Sequence, residues 1–168
     1  QSGETADTIA ALKECKSLGA KTLAIVNVVG STVAKLADSV LYTWAGPEIA
    51  VATTKGYTTQ IAVLELLAVY IARTLGRLDD KRYKQLVRGI CALPERCQRA
   101  IDLNRRVEKL AGKYYKKTSL FYIGRNLDYA VAMEASLKLK EISYVHSEAY
   151  AAGELKHGTI ALIDEDQL

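Results

Sequence analysis

Proline and cysteine are scarce in this chain, with 2 and 3 residues among 168. Together with only 11 glycines, that scarcity excludes a collagen-like repeat, a low-complexity linker and a disulfide scaffold. Cys15, Cys91 and Cys97 form neither a CxxC pair nor a zinc-ligand spacing, so reduced thiols and a cytoplasmic setting are expected. Long apolar runs are missing as well. The longest, Ile61 to Leu75, is shorter than a membrane span and carries Glu65 and Arg73, which predicts a buried helix and no membrane segment. Charge of one sign is not in excess either. Lys+Arg 23 against Asp+Glu 19 leaves +4, too mild for a nucleic-acid footprint and compatible with a small anionic ligand. Neither GxxxxGK[ST] nor GxGxxG occurs, and two histidines without HxxxH spacing predict no metal site. No signal peptide precedes Gln1, and both ends are expected to continue into a longer chain.

What is present describes a folded α/β protein, 49% hydrophobic and 25% charged. Ser2-Gly3-Glu4 opens a helix with apolar Ile9, Leu12 and Cys15, and Gly19 stands where its C-terminal cap belongs. The run 22–26 is apolar without alternation, as in a parallel strand covered on both faces. Asn27 to Ser31 turns the chain, Ser31 caps a short helix, and 39–43 reads as a second strand. After the break at Ala45-Gly46-Pro47-Glu48 and a loop over 51–55, a long helix runs from Thr58 to Leu75 and ends at Gly76. Asp79 and Asp80 start the next helix. Residues 81–117 hold no strand candidate, break near Leu93-Pro94, and carry basic residues whose simplest meaning is a solvated helix face. A buried strand then appears at 119–124, followed by a helix to about Ser143. Beyond an irregular stretch, a short helix is predicted over 151–157 and a strand over 159–163. The expected architecture is a three-layer α/β/α fold, with parallel sheets flanked by helices, in two incomplete subdomains. These are 1–77 and 118–168, joined by a helical connector over 78–117.

Three groups of residues carry chemistry. Gln1-Ser2-Gly3-Glu4-Thr5 puts hydroxyls and backbone N–H groups at a helix start, where a phosphate binds readily and where ordinary caps are also common. Glu134, Lys138 and Glu141 share one helix face opposite apolar Val131, Ala135, Leu139 and Ile142. A solvated salt-bridge stripe is the simplest explanation of that spacing, and a glutamate raised by burial is also a suitable carbon-acid base. His146, beside Val145, reads as a packed histidine. His157 lies in a polar turn from which an imidazole can move protons to a ligand.

Five segments join these groups: Gln1 to Thr8, Ala45 to Ile49, Val51 to Lys55, Leu137 to Tyr144, and Ala151-Ala152-Gly153-Glu154-Leu155-Lys156-His157-Gly158. Together they resemble the sugar-isomerase (SIS) domain of the glucosamine-6-phosphate synthase family over nearly the whole chain. The resemblance implies two SIS subdomains, with a glutaminase domain upstream that releases ammonia from glutamine. By resemblance Gln1, Ser2 and Thr5 hold the phosphate of fructose 6-phosphate, and Val51 and Thr53 lie in a second loop around the sugar. Glu141 matches the base that moves a proton between sugar carbons, Lys138 a nearby proton-transfer group, and His157 the ring-opening histidine that is lent to a neighbouring subunit. A homodimer with shared active sites follows from that last match, with no cofactor, nucleic acid or membrane. The implied product is glucosamine 6-phosphate, a precursor in amino-sugar synthesis. A sugar-phosphate sensor of the same fold would lack the Glu141 and His157 pair, whereas a fructosamine-6-phosphate deglycase would use the same base and phosphate loop. The sequence departs from the family pattern at Thr53 (often Ser), Asn126 (usually Gly) and Thr159 (frequently Pro). A further phosphate-loop segment is expected ahead of Gln1, and a tail with an imine-forming lysine beyond Leu168.

Overall fold

The computed structural model describes residues 1–164, which divide after Cys97 into two compact units. In the first unit the order is α1 (Ala6–Ser17), β1 (Leu23–Val26), α2 (Thr32–Leu36), β2 (Ser39–Tyr42), α3 (Lys55–Thr74) and α4 (Asp80–Cys91). Strands β1 and β2 pair in parallel with Leu23 opposite Ser39 and Val26 opposite Tyr42. Ala24, Val26 and Val33 form the buried core, against which Ile9 and Leu12 of α1 pack. Helices α1 and α3 stop as the glycines predicted. Gly19 (φ 80°) and Gly76 (φ 66°) take the left-handed conformation. Each closes a paired-bond cap, through Gly19 N–H to the Lys16 carbonyl with Ala20 to Cys15, and Gly76 to Arg73 with Arg77 to Ala72. Asp79 caps α4 by accepting a hydrogen bond from the Arg82 N–H at 2.7 Å. Ser31 precedes α2 but makes no side-chain cap bond.

Helix α3 runs where a buried helix was expected, yet it is not buried. Leu64, Leu66, Tyr70 and Ile71 are exposed, because the apolar residues ring the helix on all sides and its neighbours, α4 and β1, cover only part of it.

A helix α5 (Leu93–Ile101) spans the boundary between the units, and α6 (Asn104–Tyr114) follows, so the stretch from α4 to α6 holds three helices separated by short turns and no strand. The second unit continues with β3 (Ser119–Gly124), α7 (Leu127–Ser143) and β4 (His146–Ala151), with β3 and β4 parallel and Ser119 opposite His146.

Here the structure corrects the sequence reading in four places. The irregular stretch after Ser143 contains a strand, β4, whose alternating small and polar residues, His-Ser-Glu-Ala-Tyr-Ala, lack the β-branched signature of buried strands. The short helix predicted over 151–157 is only a 3₁₀ turn at Leu155–His157, and the strand predicted over 159–163 is a 3₁₀ turn at Thr159–Leu162. An apolar run of that length does not by itself distinguish strand from helical turn. The apolar face expected on α7 is also displaced. Ala132 and Ser136 are buried while Val131 and Ile142 are exposed. Small residues face the sheet because the approach is close: a Cβ at Gly124, the end of β3, would overlap the backbone at Asp128. Ser136 and Ser147 lock that face, each hydroxyl donating to the other's carbonyl at 3.0 Å.

Candidate functional site

In the first unit the site begins with a tight turn. Gly3 is buried with φ 71°, and a Cβ there would overlap the Ser31 side chain. The turn is tied to α2 from two directions: the Gly3 carbonyl accepts from the Val33 N–H at 3.0 Å, and Glu4 Oε1 accepts from the Thr32 N–H at 2.8 Å. The latter bond holds the Glu4 carboxyl below the usual carboxylate range, with the Thr32 hydroxyl and Lys35 adding to the effect. Ser2 and Thr5 are exposed. Thr5 stands at the N-cap of α1 and makes no cap bond, so its hydroxyl and the first N–H groups of the helix are open to an anion. Ser31 Oγ, behind the turn, is buried and has no hydrogen-bond partner among the described residues. A groove of about 510 Å³ starts at Gln1 and Thr5 and runs along the inner face of α1 past Leu12 and Cys15; only its mouth touches the turn.

The second loop meets the first at Gln1. Gly56, in the first turn of α3, is buried, and a Cβ on it would lie 2.8 Å from Gln1 Cγ, 3.2 Å from Glu48 Oε2 and 3.5 Å from Thr53 Cγ2. Glu48 accepts a hydrogen bond from the Gly56 N–H at 2.9 Å. Gln1, Glu48, Thr53 and Gly56 are therefore packed together. Ala52 is buried and Val51 is 97% exposed, so Val51 is open to solvent. Asn27, at the C-terminal end of β1, also reaches this region: its N–H donates to the Gln1 carbonyl at 3.0 Å.

In the second unit, two successive turns of α7 carry the ion cluster. Lys138 Nζ lies 2.6 Å from Glu141 Oε2 and 3.4 Å from Glu134 Oε1, and its side chain is only 20% exposed. The hydrogen bond to Glu141, with the charge of Glu134 beside it, pushes the ammonium pKa up despite an opposing loss of hydration. Glu134 and Lys138 are partly buried and Glu141 is exposed. His157 ends the first 3₁₀ turn and is exposed. His146, expected to be packed, is exposed because strand alternation turns it away from buried Ser147. Its Nε2 lies 3.2 Å from Glu148 Oε1, and the Tyr150 hydroxyl donates to the same carboxylate. Glu148 is held low by these two partners, chiefly Tyr150.

The structure thus joins Gln1 with Thr53 in one unit and Lys138 with Glu141 in the other. Sequence reasoning missed Asn27, Glu48 and Gly56. Asn27 could have been suspected from its place at the carboxyl end of a strand, where α/β folds bind ligands; nothing local marks Glu48 or Gly56. Among the described residues no group of three or more acidic, His or Cys side chains is arranged for a metal, no helix is long and apolar enough to cross a membrane, and all three cysteines are free and exposed.

Against known proteins, the chain is 58% identical over 98% of its length to a glutamine–fructose-6-phosphate aminotransferase (isomerizing) of Symbiobacterium thermophilum. It is 57% identical over 100% of its length to that of Caldanaerobacter subterraneus. It spans 27% and 28% of those two proteins. The solved structure of the C-terminal domain of glucosamine-fructose-6-phosphate aminotransferase from Francisella tularensis superposes with a TM-score of 0.96 at 37% identity, covering 99% of this chain and 48% of that one. The sequence pattern of the SIS domain matches residues 1–70 and 113–168, the stretches that hold the turn, the second loop, the ion cluster and both parallel sheets, and the chain belongs to the SIS domain family.

Proposed function

We propose that this chain is the isomerase portion of an enzyme that converts fructose 6-phosphate and glutamine into glucosamine 6-phosphate and glutamate. The observation that carries the reading is the close Lys138–Glu141 pair, a carboxylate and an ammonium group 2.6 Å apart, in a chain so similar to aminotransferases of that name. A sensor that only binds sugar phosphate has no use for it.

In this reading Ser2, Thr5 and the N–H groups opening α1 hold the phosphate, with Gln1 beside them, and Val51 and Thr53 border the sugar. His157 assists ring opening and serves the neighbouring subunit of a homodimer. Ammonia, released by a glutaminase domain elsewhere in the protein, condenses with the ketose carbonyl. Glu141 then carries a proton from C1 to C2 while Lys138 manages the proton on oxygen, and the phosphate anchor keeps the reacting carbons in place through both steps. The subdomain limits 1–77 and 118–168, the connector 78–117 and a cytoplasmic location belong to the same reading.

Calorimetry on the full-length protein tests it. Charge-assisted hydrogen bonds contribute roughly 1.5–3 kcal/mol each, so fructose 6-phosphate should bind and fructose should not. Equal affinity for the two sugars would remove the phosphate assignment and the function with it.

A further inference from the structure

Trp44 is a bulky residue with φ 53°, a conformation that L side chains avoid. It lies in the segment Thr43–Glu48, which leads from the end of β2 to the second loop. Asn27 brackets it. The Asn27 amide oxygen accepts from the Thr43 hydroxyl at 3.1 Å and from the Ala45 N–H at 2.9 Å, and its Nδ2 donates to the Gly46 carbonyl at 2.7 Å. One half-buried side chain thus holds the residues on both sides of the strained one. At the far end of the same segment, Glu48 takes the Gly56 N–H at the junction with Gln1 and Thr53. Strain of this kind persists only where its surroundings over-determine it, and it concentrates at ligand clamps.

We propose that Asn27 is a positioning residue: its side chain sets the strap Thr43–Glu48, and through it the placement of Thr53 and the start of α3 against Gln1. The ligand consequence rests on reading Gln1, Ser2, Thr5, Val51 and Thr53 as sugar-phosphate contacts. The phosphate turn itself is tied to α2 by the Gly3–Val33 and Glu4–Thr32 bonds, and its link to Asn27 runs through the main-chain N–H, which a substitution leaves in place. Asn27 therefore governs the sugar side of the site and not the phosphate side.

Asn27→Asp is nearly isosteric and keeps the acceptor while exchanging the Nδ2 donor for an oxygen that repels the Gly46 carbonyl. In the full-length protein it should speed amide hydrogen exchange at Ala45 and Gly56 about tenfold and weaken fructose 6-phosphate binding about tenfold. Affinity for inorganic phosphate should stay within twofold. If Asn27→Asp does not fold, Thr43→Val removes only the hydroxyl donor and should shift exchange at Ala45 and Gly56 in the same direction by a smaller factor. Unchanged exchange at Gly56 in a folded variant would overturn the proposal, as would equal weakening of fructose 6-phosphate and phosphate, which marks a general loss of structure. A wild-type protein that binds neither ligand would instead sink the sugar-phosphate reading, and exchange at Gly56 would still decide the role of Asn27.

Discussion

The two units approach chemistry by opposite means. In the first, the turn at Gln1–Thr5 is made of backbone: a left-handed glycine pressed on Ser31, a helix start with uncommitted N–H groups, and carbonyls tied to α2 and β1. In the second, the cluster on α7 is made of side chains, with Glu134, Lys138 and Glu141 gathered by helical spacing alone. Binding an anion needs fixed dipoles, which the backbone supplies without titrating. Moving a proton needs groups that titrate. On the proposed reading, that difference separates phosphate binding from proton transfer in a way that substitutions can expose.

The largest expected effect lies on the side-chain half. Glu141→Gln keeps size and most hydrogen bonding but removes the proposed base, so turnover should fall roughly 10²–10⁴-fold with little change in sugar-phosphate affinity. Solvent deuterium uptake at the sugar carbons reads the step directly. Near-normal exchange in a folded variant would return Glu141 to a structural ion pair.

On the backbone half the pattern should invert. Gly3→Ala forces a Cβ into the Ser31 side chain at a φ of 71°, and the combined crowding and strain should cost about 2–4 kcal/mol. Fructose 6-phosphate affinity should drop roughly tenfold or more, while whatever substrate still binds turns over at a nearly normal rate. A normal affinity with an intact fold would mean that the turn is not where the phosphate sits.

The same contrast explains what could be read from the sequence. Helical periodicity is local, so the shared face of Glu134, Lys138 and Glu141 was legible, as were the stops at Gly19 and Gly76 and the cap at Asp79. Parallel strands 23–26 and 119–124 announced themselves by unbroken apolar runs. Strand β4 did not, because its inward positions are Ser147 and the small Ala149 and Ala151, selected by the close approach of α7 and visible only once Ser136 and Gly124 are placed beside it. The junction of Gln1, Glu48, Thr53 and Gly56 joins residues up to 55 positions apart and leaves no local pattern. Asn27 was passed over as a turn residue, since its three side-chain bonds all reach into the strap 16 to 19 residues downstream.

The smallest expected effect runs in the stabilising direction and sits where the second unit borrows the backbone device of the first. Asn126, which precedes α7, has φ 53° and ψ −120° and makes no side-chain cap bond. Asparagine tolerates the left-handed helical well, where ψ is near +45°, but this ψ lies in a region reserved in practice for glycine at the first central position of a type II′ turn. The conformation is imposed from both sides. Gly124 meets the backbone of Asp128, and the Arg125 and Asn126 carbonyls already accept from the N–H groups of Asp128 and Tyr129 at 3.1 Å. Asn126→Gly relieves strain of order 1–3 kcal/mol and loses about 0.5–1 kcal/mol to the greater freedom of glycine in the unfolded chain. A net gain of about 1 kcal/mol should raise the melting temperature by roughly 2–4 °C. That range is the scale for cooperative unfolding of a chain of 168 residues, and the gain should appear equally in chemical denaturation, as a higher midpoint with unchanged slope. A lower midpoint would show that the asparagine side chain has a partner worth more than the strain, and that this turn, unlike Gly3, is set by a side chain.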